Sequence, residues 1–128
     1  MPLVTLSQRA PVDPAQARAI LDQVHSALVA SGVPQADRFQ RVLELDADRL
    51  VVDARYPDLA RDRSDRFVLI EILWSVGRNV KIKRKVATDI ANGVARVAGI
   101  DAADVMVVFV ETAWENWSFS GGRLLNAD

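Results

Sequence analysis

The chain has 128 residues, 50% of them hydrophobic, which suits one domain able to bury a core without cross-links or a structural metal. Sixteen basic residues stand against seventeen acidic ones, a formal net charge of −1, so no overall field draws the chain to nucleic acid or to an anionic membrane. With no cysteine and a single histidine, His25, the composition excludes disulfides, thiolate nucleophiles, Cys-ligated zinc and any multi-histidine metal site.

The opening residues lack the basic and long apolar segments of a secretion signal, and no stretch reaches membrane-spanning length, so the cytoplasm is the expected compartment. Few side chains here exchange protons near neutral pH. An α-amino group, with a reference pKa of about 7.7–8.0, is one group that does. Pro2 therefore becomes a candidate once Met1 is removed.

Leu3–Leu6 is a short apolar run. Asp13 and Pro14 then supply an N-cap and a first-turn proline for a helix running to about Ser31. Its apolar positions Ala17, Ile20, Leu21, Val24 and Leu28 form one buried face, and Gly32 and Pro34 stop it. From Arg38 the apolar spacing changes to two, through Phe39, Leu43 and Leu45, which reads as a strand. Residues 46–66 form a long connection with a short strand at Leu50–Val52. Phe67–Trp74 is nearly all apolar, Gly77-Arg78-Asn79 is a turn, Val80–Ala98 is a second helix, and Val105–Val110 is the last strong strand. The aromatic tail around Gly121-Gly122 suggests a hairpin over 114–124.

The two halves repeat. Gly32-Val33-Pro34-Gln35-Ala36-Asp37 matches Gly99-Ile100-Asp101-Ala102-Ala103-Asp104 in its glycine, β-branched, alanine and aspartate positions, each segment preceding a strand. The fold class is thus α+β: two tandem βαβ units, about 2–62 and 63–113, forming a four-stranded sheet with two helices on one face. Helices cover one face only, so self-association is the economical way to bury the other.

Met1-Pro2-Leu3-Val4, the segments 32–40 and 63–68, Gly77-Arg78, and Glu115-Asn116-Trp117-Ser118-Phe119-Ser120-Gly121-Gly122 together resemble the tautomerase superfamily. They resemble most its longer members of the malonate semialdehyde decarboxylase type, the larger counterparts of 4-oxalocrotonate tautomerase. The resemblance implies a homotrimer of double βαβ subunits and catalysis by an amino-terminal proline with no metal or organic cofactor. It also matches Asp37 to an aspartate of the decarboxylase, and Arg78 to the second of two arginines after the first strand of the second unit. The first arginine has no counterpart: Val76 or Ser75 stands in its place.

Several residues then carry candidate roles. A neutral Pro2 nitrogen can remove a proton alpha to a carbonyl and return it elsewhere, and apolar surroundings or a nearby cation would favour that neutral form. Arg78, where a strand hands over to a helix, suits a substrate carboxylate, with the first-turn amides as partners. Asp37 has two readings, a turn-capping residue like Asp104 or a group that orients water or holds the proline ammonium. His25, between Leu21 and Leu28 at helical spacing, is either a half-buried helix histidine or a substrate contact. Trp117 and Phe119 are expected as an apolar wall. Three functions follow: a tautomerase on a small 2-oxo acid or enol, a decarboxylase or hydratase of a small oxo acid, or a ferredoxin-like binding module.

Overall fold

In the computed structural model, which describes residues 1–125, the apolar run that begins each half of the chain becomes an inner strand of one mixed sheet. Strands β1 (Leu3–Arg9), β2 (Phe39–Leu45), β3 (Val68–Ser75) and β4 (Val105–Thr112) lie in the order β2-β1-β3-β4. β1 runs parallel to β2 and antiparallel to β3, and β3 runs parallel to β4. Each parallel pair is joined by a helix, α1 (Pro14–Ala30) or α2 (Val80–Ala98), as a βαβ crossover requires. Because β1 and β3 are antiparallel, the two units begin at opposite ends of the sheet.

Local chemistry sets the helix limits. Asp13 accepts from Ala15 N at 3.0 Å and Pro14 opens α1, where a missing N–H costs nothing. Asn79 caps α2 through Ile82 N at 2.9 Å. Ile20, Val24 and Leu28 of α1 and Val86, Ile90 and Val94 of α2 pack with Val4 and Leu6 of β1 and Ile70, Ile72 and Trp74 of β3. These strand positions alternate, so both helices cover the same face. No helix among the described residues is long and apolar enough to cross a membrane.

The opposite face is uncovered. Leu43, Met106 and Val110 are 41%, 44% and 46% exposed there. At its centre Arg41 Nε donates to Thr5 Oγ1 at 2.8 Å, and Thr5 also stands in register with Glu71.

Two expected elements are absent. Leu50–Val52 forms no strand, because the Leu50 carbonyl takes Arg9 Nε at 3.0 Å and Nη2 at 2.8 Å in place of a strand partner. The tail over 114–124 is not a hairpin either. Trp114–Asn116 is a single 3₁₀ turn, followed by irregular chain. The Gly-Gly turn itself forms, with φ of 64° and 75° and Arg123 N donating to Ser120 O across it at 3.3 Å. The flanking segments do not pair as strands; Trp117 stacks on Phe119, and Phe119 packs on Phe39.

Asp104, 4% exposed, ties the second unit together by accepting from Ser64 N at 2.7 Å and Ser64 Oγ at 2.6 Å. Asp104→Ala removes two charge-assisted bonds made by a buried carboxylate, while the Ser64 donors themselves are exposed. It should lower unfolding free energy by about 1–3 kcal/mol, read from urea melts, and an unchanged midpoint would contradict this role.

Candidate active site

β1 is an inner strand, so its first residues emerge between two neighbours. Leu3 pairs with Phe39 on one side and with Leu73 on the other. Continuing the chain back past Leu3 brings Met1 and Pro2 beside the segment before β2 and the end of β3. Asp37 lies two residues before Phe39, and Arg78 lies three residues after Ser75. Three distant parts of the sequence thus converge at one end of the sheet.

The Met1 ammonium lies 2.5 Å from Asp37 Oδ2, with the side chains only 6% and 17% exposed. The other oxygen, Asp37 Oδ1, is buried and has no hydrogen-bond partner among the described residues. A carboxylate oxygen in that position can accept one more donor.

Arg78 is held from two directions. Nη1 donates to Ser75 O at 2.7 Å and to Ser75 Oγ at 3.0 Å, and the guanidinium carbon sits 4.3 Å from the centre of the Trp74 ring. Trp74 in turn stacks on Phe109. Burial draws the Arg78 pKa down from its ordinary value, while the Glu111 and Asp37 carboxylates push it up; the group remains cationic near neutral pH. Nε and Nη2 have no partner among the described residues, which leaves two donors for an anion.

Asp37 and Arg78 line a cavity of about 620 Å³, together with Met1 and an apolar side made by Val33, Phe39, Trp114 and Phe119. The Phe39 and Phe119 rings meet at 5.5 Å, tilted by 34°, and Phe119 stacks on Trp117 at 5.8 Å. Trp117 therefore backs the wall instead of lining the cavity. Pro2 is buried and does not itself line the cavity.

His25 stands elsewhere. Its ring is 3% exposed, does not line the cavity, and makes a 2.8 Å bond from Nε2 to the carbonyl of Gln35. A carbonyl only accepts, so the ring donates and pins the loop that leads to Asp37. Arg38 fixes the other side of that loop, donating to Asp22 Oδ1 at 2.6 Å and to Gln40 Oε1 at 2.8 Å. Of the residues after Arg78, Asn79 caps α2, Lys83 pairs with Glu111 and Lys85 with Asp89, and none of them lines the cavity.

Phe39 and Ser75 carry no functional signal in the sequence. Phe39 reads as one more alternating strand residue, and only the register with Leu3 puts it beside the chain start. At the other end of the sheet Asp104 occupies the place of Asp37, but the residue before β3 is Phe67, whose nitrogen lies in the middle of the chain.

A sequence profile described as "Tautomerase enzyme" matches residues 37–120. The probable tautomerase YrdN of Bacillus subtilis (strain 168) is 28% identical over 124 residues, covering 96% of this chain and 94% of its own. Among solved structures, FG41 malonate semialdehyde decarboxylase inhibited by 3-bromopropiolate is 30% identical, with a TM-score of 0.86 over 94% of this chain and 91% of that one. A fused 4-OT in a symmetric trimer, 23% identical, has the same fold with a TM-score of 0.77 over 95% and 94% of the two chains. On this combined likeness of sequence and fold, the chain belongs to the tautomerase superfamily and is structurally close to malonate semialdehyde decarboxylase and fused 4-OT.

Proposed function

We propose that, once Met1 is removed, this chain is a cofactor-independent tautomerase acting on a small 2-oxo acid or its enol, with the Pro2 nitrogen as acid and base. The observation that carries the reading is the convergence of the chain start, Asp37 and Arg78 on one cavity. With Met1 in place Pro2 has an amide nitrogen and no basic lone pair. Without it, Pro2 carries a secondary amine next to the Asp37 carboxylate and the Arg78 guanidinium.

The reaction needs only a proton relay. Arg78 holds the substrate carboxylate through its free Nε and Nη2 donors. Neutral Pro2 takes the hydroxyl proton of the enol, and the charge spreads onto the adjacent carbon. Protonated Pro2 then delivers that proton to the carbon, which leaves the keto acid and a neutral amine. Asp37 holds the transient ammonium, and its orphaned Oδ1 accepts from water or substrate.

A second reading, decarboxylation or hydration of a small oxo acid, is favoured by the likeness to FG41 malonate semialdehyde decarboxylase. Against it, the resemblance calls for a further arginine where this chain has Val76 or Ser75, and the Ser75 hydroxyl is already taken by Arg78.

The uncovered face of the sheet supports assembly into a homotrimer. Leu43, Met106 and Val110 would be withdrawn from water there, and Arg41 and Glu71 offer opposite charges for register.

Intact mass establishes first whether Met1 is absent. The processed protein should ketonise phenylenolpyruvate, and either retention of Met1 or Pro2→Ala should cut kcat/KM by about 10²–10⁴. If neither change lowers the rate, Pro2 is not the acid/base. Malonate semialdehyde offered in parallel decides between the readings, since faster loss of carbon dioxide than of enol would favour the decarboxylase. Arg78→Ala should raise KM for carboxylates by about 10-fold to 100-fold while sparing neutral carbonyl compounds; equal effects on both would remove its assigned role. Met106→Asp combined with Val110→Asp should lower the mass by light scattering from three chains to one, and a monomeric parent protein would end the trimer proposal.

A further inference from the structure

We propose that the opposite end of the sheet carries a second ligand site, which takes a small hydroxylated anion between Arg9 and Arg66. A cavity of about 330 Å³ lies there, at the small end of the range of about 300–1,000 Å³ found for ligand pockets. Gln8, which lines it, continues the alternation of Val4 and Leu6 along β1. The cavity therefore opens on the helix-covered side of the sheet, away from Leu43, Met106 and Val110.

The repeat shows how its chemistry differs from that of the candidate active site. Arg66 stands two residues before β3 as Met1 stands two before β1, and Ile100 repeats Val33; each lines the cavity at its own end. Asp37 also lines the first cavity, whereas its counterpart Asp104 is bonded to Ser64 and does not line the second. An ammonium and a carboxylate at one end are exchanged for two guanidiniums at the other.

Both guanidiniums are anchored by neutral carbonyls. Arg9 donates to Leu50 O through Nε at 3.0 Å and Nη2 at 2.8 Å, and Arg66 donates from Nη2 to Ala98 O and from Nη1 to Gly99 O at 3.2 Å. These bonds fix the two groups in place and offset only about half a charge, that of the carboxyl end of α2. The one carboxylate lining the cavity is Asp65, 3.6 Å from Arg9 Nη1, and its side chain is wholly exposed to water, which weakens its pull. Two like charges thus share one cavity, and an anion between them relieves the repulsion. Gln8 adds a second demand. Its Oε1 is buried without a partner among the described residues and can accept from a hydroxyl. A hydroxy carboxylate and a hydroxyalkyl phosphate share the required pair of groups.

Calorimetry on the Arg78→Ala protein, whose candidate active site has lost its guanidinium, tests this with four probes. Malate and glycerol 3-phosphate should bind, the tighter of the two naming the anionic group. Malate should exceed succinate, which lacks the hydroxyl, by about threefold to tenfold, and glycerol, which lacks the charge, should not bind. Arg9→Gln and Arg66→Gln should each weaken malate and glycerol 3-phosphate by about tenfold or more. Gln8→Leu should bring malate down to the affinity of succinate and leave succinate itself unchanged, a result that general loosening of the fold would not give. Failure of both malate and glycerol 3-phosphate to bind at millimolar concentration would overturn the proposal. So would binding that neither arginine variant weakens, glycerol binding as well as malate, or a malate-to-succinate ratio that Gln8→Leu leaves unaltered.

Discussion

A buried positive charge at the start of the chain needs a partner, and the candidate site is organised around that need. β1 is an inner strand that begins at the third residue, so the amino terminus cannot drift into solvent as most chain ends do. A buried ammonium without a counter-charge is costly. The parallel return of β2 brings Asp37 alongside the terminus, and the arrangement of α1, which fixes where β2 begins, decides whether Asp37 arrives in the right place. His25 and Arg38 hold the intervening loop from its two sides.

The second unit solves the same problem in another way. There the chain runs continuously into β3, and Asp104 takes a backbone amide and a hydroxyl from Ser64 instead of an ammonium. The two aspartates are one structural device put to two uses. Asp37 pairs with the chain's own end where Asp104 pairs with Ser64.

Most of the scaffold could be read from residue spacing. Asp13-Pro14 and Asn79 mark helix starts because their side chains and ring satisfy constraints local to one turn, and the strands β2 and β4 follow from periodicity and the repeated segment before them. What could not be read depends on contacts between distant residues. Leu50 has strand-like neighbours, yet its carbonyl is claimed by Arg9, 41 positions away. The Gly-Gly turn was visible, but the aromatic residues before it are drawn to Phe39 on another element, so the strands of a hairpin never form. Phe39 was invisible as a wall residue for the same reason. The Arg78 side chain was a plain candidate, while its clamp, Ser75 and Trp74, needed coordinates.

The proposed role of Pro2, a chain end in the middle of a sheet, also bears on how such a protein can arise and be handled. Head-to-tail duplication of a βαβ unit doubles the aspartate and the sheet but leaves a single chain start, so the place of Pro2 in the second unit falls to Phe67, whose nitrogen is an amide in mid-chain. Circular permutation makes the asymmetry explicit: joining the original ends and opening the chain ahead of Phe67 would carry the free amine to the opposite pole of the molecule. An amino-terminal purification tag has a similar effect on a smaller scale, since it must thread out between β2 and β3 through the space Met1 now fills, so any fusion partner belongs at the carboxyl end.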